Sequence, residues 1–375
     1  MKKVKIKELF DIRKGKKAEE VESSDLRYIQ IEDLRDNENI KFCSSSDSNV
    51  LCNQEDILIA WDGANAGTVG FGIEGVIGST IARLRPKSDD FISDYVGLLL
   101  QSKFDFFQRT ATGATIPHVS RKALENLEIP LLNLSVQKAI VAKLDRAQRL
   151  IDIDKEMLAK YDELIQSVFL EMFGDPVTNP KGWKVGSLTD YGSLKNGLNY
   201  SSNETGTKIR SLGVGDFGVL SKIDDIREIS RIELDEAPPK NYLLKDNDLV
   251  FVRSNGNKEL VGRCLVIYPG NEDVTFSGFC IRYRPTSSSI NSTYLSHLFR
   301  VKSFRNYMLK DGRGANIQNI NQKLLSQLDI PLPDFSKQNQ FVKNVEKLEG
   351  QILKTQTSRK KSEELFSSLV QGAFG

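Results

Sequence analysis

Few side chains in this 375-residue sequence are spaced for covalent chemistry. Its two histidines, His118 and His297, lie far apart. Its four cysteines (Cys43, Cys52, Cys264, Cys280) contain no Cys-x-x-Cys pair, so a zinc cluster has no ligand set. Cys43 and Cys52 are near enough in sequence to meet, but isolated buried thiols are the plainer reading. Gly213-Val214-Gly215-Asp216-Phe217-Gly218 has the spacing of a dinucleotide fingerprint, which works only where a helix follows and offers its N-terminus to the pyrophosphate. The residues that follow, Val219-Leu220-Ser221-Lys222-Ile223-Asp224-Asp225, lack a helical apolar period, so a nucleotide site is not expected. A methyl-transferring loop needs Asn or Asp before a Pro-Pro pair and an aromatic after it, whereas Pro238-Pro239 stands between Ala237 and Lys240. No G-x-x-x-x-G-K-[ST] loop is present to drive a motor. His118 has no evident nucleophile or metal cluster beside it and reads as a polar loop histidine. With 50 Asp and Glu, a carboxylate–metal site stays open as an alternative.

What remains is non-covalent chemistry, and it is concentrated in loops. Thr115, His118, Ser120, Arg121 and Lys122 follow a turn at Gly113. Arg313, Asn316, Gln318, Asn319, Asn321 and Lys323 stand at the matching place two hundred residues later. A second pair is Trp61-Asp62-Gly63-Ala64-Asn65 and Arg253-Ser254-Asn255-Gly256-Asn257-Lys258. Any one Asn in such a loop is usually a turn residue. Recurrence at matched positions, with changed side chains, instead points to loops that make contacts. Lys14, Lys16 and Lys17 surround Gly15 where a strand should end, a basic turn suited to phosphate contact. A solvated charge run is the equal alternative there.

The elements that hold these loops occur twice. Residues 113–174 recur without a gap as 314–375, with about 19 of 62 positions identical, including Ile-Pro-Leu, Ser-x-Gln and a closing Phe-Gly. Weaker matches run upstream. Asp56–Ala60 resembles Asp248–Val252, Ile81–Pro86 resembles Cys280–Pro285, and Ile29–Leu34 resembles Leu212–Phe217. The offset grows along the chain, so the second copy carries loop insertions between shared strands.

In the first copy short β-branched runs (Tyr28–Ile31, Asp56–Trp61, Gly67–Phe71, Ile81–Leu84) alternate with Gly, Asp, Asn and Ser clusters, and a helix is expected over Asp94–Thr110. The second repeats the scheme with strands near Lys208–Leu212, Asp248–Arg253, Arg263–Tyr268 and Phe279–Arg284 and a helix over Thr293–Lys310. Each copy ends in a long heptad seam. One runs Ile140, Leu144, Ala147, Ile151, Asp154, Leu158, Tyr161, Ile165, Val168, Met172. The other runs Phe341, Val345, Leu348, Ile352, Thr355, Arg359, Ser362, Phe366, Leu369, Ala373. Each helix should span roughly 57 Å at about 1.5 Å per residue. Two such seams should pair antiparallel, with Asp154 near Thr355 and Arg359. The fold class is α+β: two similar β-rich domains, each followed by a long helix, the helices forming an antiparallel coiled coil.

Charge is balanced at +2, no window is apolar enough to span a membrane, and the start lacks a signal-peptide core, which together suggest a cytoplasmic protein.

In this order the segments resemble the specificity (S) subunit of type I restriction–modification enzymes, over essentially the whole chain. The telling ones are Asp56-Ile57-Leu58-Ile59-Ala60-Trp61-Asp62-Gly63, Thr112-Gly113-Ala114-Thr115-Ile116-Pro117-His118-Val119-Ser120, Asn133-Leu134-Ser135-Val136-Gln137 and Phe173-Gly174-Asp175-Pro176. The second copy departs from the pattern at Gln318, where the first has Pro117, and lacks the Trp61-Asp62-Gly63 wording. The resemblance implies a subunit that does no chemistry and needs no cofactor. Residues 1–133 and 177–334 would be target-recognition domains, each reading one half of a bipartite double-stranded DNA sequence. Residues 134–176 and 335–375 would be spacer helices that recruit methyltransferase (modification) subunits, with restriction (motor-nuclease) subunits joining them. A stand-alone nuclease or methyltransferase with an unrecognised site is the alternative. Arg, Lys, Asn, Gln, Ser and Thr on loops are the side chains that reach base edges and phosphates. The loop residues named above are therefore the candidate contacts, with Leu144, Ile151, Asp154, Leu158, Ile165, Val345, Ile352, Arg359 and Phe366 at the helix seam.

Overall fold

The structure is a computed structural model that describes every residue except Met1, Asn37, Glu38, Ala114, Ser202, Val219, Leu220 and 311–318. The chain forms two units, Met1–Lys155 with Thr357–Gly375, and Glu156–Gln356.

In the first unit an antiparallel sheet runs in the order Phe10–Lys14, Ile81–Pro86, Ile57–Ala60, Val69–Phe71. A second sheet contains a parallel pair, Arg27–Ile29 beside Gly75–Ile77. Strand Ile57–Ala60 is wholly buried because both its faces are covered. Ile57 and Ile59 enter a core shared with helix Ser93–Gln101, while Leu58 and Ala60 enter a core under the second sheet. A period of two thus divides one strand between two cores. The second unit does the same with Asp248–Val252. Leu249 and Phe251 face the helices; Val250 and Val252 face a core closed by the parallel strands Thr207–Leu212 and Val274–Phe276.

The repetition extends to individual hydrogen bonds. Arg85 grips the fully buried Asp56 with two N–H groups at 2.9 and 2.7 Å, and Arg284 grips Asp248 at 2.7 and 2.6 Å. The Gln of Ser-x-Gln accepts from the backbone of Ile92 (Gln137, 2.9 Å) or Asn291 (Gln338, 2.9 Å). Its amide donates to the carbonyl of Leu132 or Pro333. Each buried glutamine ties the start of a long helix to the helix pair of its own unit, which explains its place in the repeat. The fingerprint-like glycines form one tight turn, with the Asp216 carboxylate accepting from Gly213 N–H at 2.7 Å; Asp33 does the same for Gln30. The next described strand is Lys222–Ile223.

Two expected helices are each broken into a pair. Ser93–Gln101 and Phe104–Thr110 replace one helix over 94–110, and Ser292–Arg300 and Lys302–Leu309 replace one over 293–310. The first break follows Ser102, whose hydroxyl donates back to Leu99 O at 2.6 Å, a local bond that competes with the helix. The second is the extended, buried Val301.

The long helices are Leu134–Phe173 and Phe335–Phe374. In the first unit Ile140 and Leu144 share a core with Phe366, Leu369 and Ala373; in the second, Leu158 and Ile165 share one with Phe341, Val345 and Ile352. The start of one helix meets the end of the other in both units, so the pairing is antiparallel. Ile151, Asp154, Thr355 and Ser362 are buried, as seam positions should be. Arg359 is half-buried, and its ion pair is with Glu363 one turn along (2.8 Å) rather than with Asp154. Phe169 and Phe173 extend beyond the seam onto Tyr294, as Phe374 does onto Tyr95. Gly174, at φ 77°, ends the first helix, and Trp183 donates from its indole to Phe173 O at 2.8 Å.

Candidate nucleic-acid interface

In the first unit the loop after Ile57–Ala60 and the loop after Gly113 are stitched together. Gly63 N–H donates to Pro117 O, Val119 N–H to Trp61 O, and Thr112 and His118 exchange two backbone bonds. Gly113 must be glycine: its φ is 99°, and a Cβ would lie 2.4 Å from Ile116 O. Asp62 then bridges two predicted contact residues. It accepts from Lys14 Nζ at 2.6 Å and from His118 Nδ1 at 2.6 Å. Burial pushes the Asp62 carboxyl up, but the hydrogen bonds from Lys14 and His118 outweigh it and hold its pKa below the usual range. The tether is therefore intact at neutral pH and is lost only as pH falls through that lowered value. With Nδ1 bonded to Asp62, the half-exposed His118 retains Nε2 as the ring atom suited to a base edge or phosphate.

The other predicted residues divide by task. Asn65 accepts from Arg35 at 2.7 Å, which adds an exposed arginine that sequence reading missed. Ser120 caps helix Arg121–Asn126, accepting from Ala123 N–H. Arg121 bonds Glu125 at 2.8 Å. Thr115, Lys122, Lys16 and Lys17 are exposed.

In the second unit the same backbone frame carries different side chains. Ile320 N–H donates to Arg253 O at 2.9 Å, as Val119 does to Trp61; Ser254 bridges Asn319, as Asp62 bridges His118. Arg253 Nη1 reaches Gly278 O at 3.3 Å. Asn255 and Asn257 accept from Asn257 and Glu259 backbone N–H groups and so shape their own loop. Lys258 and Lys323 are exposed, and Asn321 caps helix Gln322–Ser326. Arg313, Asn316 and Gln318 lie outside the described residues. Lys14 is replaced by Asn196, so the basic turn belongs to the first unit alone. Beside this frame is a cavity of about 590 Å3, lined by Tyr200, Phe279 and Val214 as well as Ser254, Asn255 and Asn319. The aromatics were missed because each stands outside the polar loops that signalled contact.

Among the described residues no group of three or more His, Cys, Asp or Glu is placed to hold a metal, and no helix is long and apolar enough to cross a membrane. His297 is a core residue against Phe341, its pKa pushed down to about 3 by burial. All four cysteines are free and buried, with burial pushing Cys52, Cys264 and Cys280 up to about 12.

The family model described as type I restriction modification DNA specificity domain matches residues 1–160 and 180–363. The chain is 24% identical over 384 residues to the type I restriction enzyme MjaVIII specificity subunit of Methanocaldococcus jannaschii, covering 96% of this chain and 88% of that one. It is 28% identical over 324 residues to the StySPI specificity subunit of Salmonella potsdam, covering 78% and 67%. The solved S subunit of a type I restriction–modification system from M. genitalium covers all of this chain and 96% of its own, at 18% identity and a TM-score of 0.53, and so shares the fold.

Proposed function

Because the chain belongs to the type I restriction–modification DNA specificity family, we propose that it reads a bipartite double-stranded DNA sequence, one half with each unit, and recruits the subunits that methylate and cut. The observation that carries this is the pair of contact frames, one per unit, each closed by a matching backbone bond and a matching bridge, and bearing Trp61, Asp62 and His118 in one against Arg253, Ser254 and Asn319 in the other. A shared frame with exchanged side chains is what two readers of different sequence require, since base pairs differ in donor and acceptor pattern. In this reading residues 1–133 and 177–334 carry recognition, and 134–176 and 335–375 act as spacer. Methylome sequencing of cells carrying a methyltransferase partner, with and without this chain, tests it. A modified two-part sequence should appear only with the chain. The purified chain given magnesium and a methyl donor should neither cut nor methylate DNA; either activity would favour the stand-alone enzyme instead.

Phosphate binding is assigned to Lys16 and Lys17, because Lys14 is engaged by Asp62. Replacing Lys16 and Lys17 by Ala should flatten the salt dependence of binding by about 0.9 for each phosphate no longer neutralised, on any duplex. An unchanged slope removes this turn from the footprint.

Recruitment is assigned to the outer face of helix Leu134–Phe173. In the first unit's part of that helix Leu150 and Ile153, three residues apart and so on one side of the helix, are 48% and 51% exposed, an apolar pair left uncovered. Leu150→Glu with Ile153→Glu should leave folding and DNA retention intact and abolish co-purification with the methyltransferase subunit. Undiminished co-purification would move the docking surface elsewhere.

A further inference from the structure

Phe279 is 63% exposed, the highest value for a large apolar side chain among the described residues. A lone exposed ring needs no explanation in itself; its mounting does. It sits in a tight turn, where Cys280 N–H donates to Ser277 O at 2.8 Å and Gly278 N–H to Leu198 O at 2.7 Å. Its own N–H donates to Ser277 Oγ at 3.3 Å, and its carbonyl accepts from Arg253 N–H at 2.7 Å. The ring is thus held outward on a fixed backbone, next to the contact frame, with Tyr200, Asn255 and Asn319 around the same cavity.

The first unit builds the same turn. Ile81 N–H donates to Gly78 O at 3.1 Å, and Trp61 N–H donates to Thr80 O at 2.7 Å. Thr80 is therefore the counterpart of Phe279, and it too is exposed. The fold asks nothing of this side chain, since a hydroxyl and a phenyl ring occupy it on one backbone. The two units differ here as two readers would.

We infer that this turn position reads a base pair in each half-site, and that Phe279 selects thymine by contact with its C5-methyl group. A phenyl ring has no hydrogen bond to offer, and thymine alone presents an apolar group in the major groove. The amide of Asn319, on the same cavity, is of the type that pairs with the N6 and N7 edge of adenine, so the cavity suits a T·A pair. Thr80 has a hydroxyl beside its methyl group and can hydrogen-bond to any base edge, so its selection is less confined to thymine than that of a phenyl ring. The inference rests on the reading of the chain as a DNA specificity subunit.

The test uses the complex of the full chain with its methyltransferase subunits, on its own methylated sequence, with each thymine replaced in turn by deoxyuridine. That change removes one methyl group and leaves base pairing intact. One position in the half read by the second unit should lose about fourfold in affinity, the worth of one buried methyl group. In Phe279→Ala that position should bind thymine and deoxyuridine equally, with the other half unaffected. Thr80→Phe should create a thymine preference in the first unit's half. If no position discriminates, or if Phe279→Ala keeps the parent ratio, the inference is overturned while the specificity reading stands. If the parent complex methylates no two-part sequence, both fall.

Discussion

Exchanging residues 177–334 for the matching segment of a relative should change one half of the methylated sequence and leave the other as it was. The exchanged piece enters and leaves at adjoining points, because Lys184–Ser187 pairs with Asp329–Leu332 in one small sheet. It carries the whole contact frame of the second unit, Arg253, Ser254 and Asn319 together, with the Phe279 turn. It does not carry its whole core. Tyr294 stacks on Phe169 at 5.6 Å and meets Phe173 at 5.0 Å, so the donor segment must bring an aromatic to that position. With that condition met, the expected readout is a new set of bases in one half-site at full methylation efficiency. A change in both halves would mean that the two units do not read independently.

Arg284→Met should be among the most destabilising single changes in the second unit, at roughly 3–5 kcal/mol. Asp248 is fully buried, and removing the guanidinium leaves its carboxylate with Lys245 N–H alone. The matching change, Arg85→Met, should cost less. Arg85 is 41% exposed against 21% for Arg284, so water replaces more of what it supplied to Asp56. The two tryptophans separate the measurements, since Trp61 reports on the first unit and Trp183 on the second. Urea unfolding followed by fluorescence in single-tryptophan backgrounds should show a large shift from Trp183 with Arg284→Met and a smaller one from Trp61 with Arg85→Met. Equal shifts would show that exposure does not decide the cost. Asp248→Asn combined with Arg284→Met should recover part of the loss, because no buried charge is then stranded.

Periodicity carried most of the architecture. The heptad seams and the strand runs are local patterns, where spacing is informative, and the repeat shows itself as the same local patterns met twice. The helix pairs at 93–110 and 292–309 were read as single helices because the apolar period continues across Ser102 and Val301, while the break is a matter of local hydrogen bonding. The candidate contact residues were chosen by type, and their partnerships were not legible. Lys14, Asp62 and His118 are dozens of residues apart, and no local pattern reveals that one carboxylate serves both the lysine and the imidazole. Seam register was legible in outline only: Asp154 is buried as expected, but Arg359 satisfies its charge along its own helix. Phe279 escaped because an aromatic before a buried strand reads as part of the strand.

The division of Ile57–Ala60 and Asp248–Val252 between two cores bears on how such a chain acquires a new target. Among the described residues the helix-facing cores hold 24 and 26 buried apolar residues, nearly the same, whereas the cores under the second sheet hold 8 and 12. Side chains of one parity along the strand answer to the long helices, the elements to which subunit recruitment is assigned in the proposed function. Those of the other parity answer only to the sheet behind the reading surface. Substitutions can accumulate on that second face, enlarging or tilting the sheet, without disturbing the assembly. On the proposed function, retargeting and assembly would be inherited on alternate residues of the same strand.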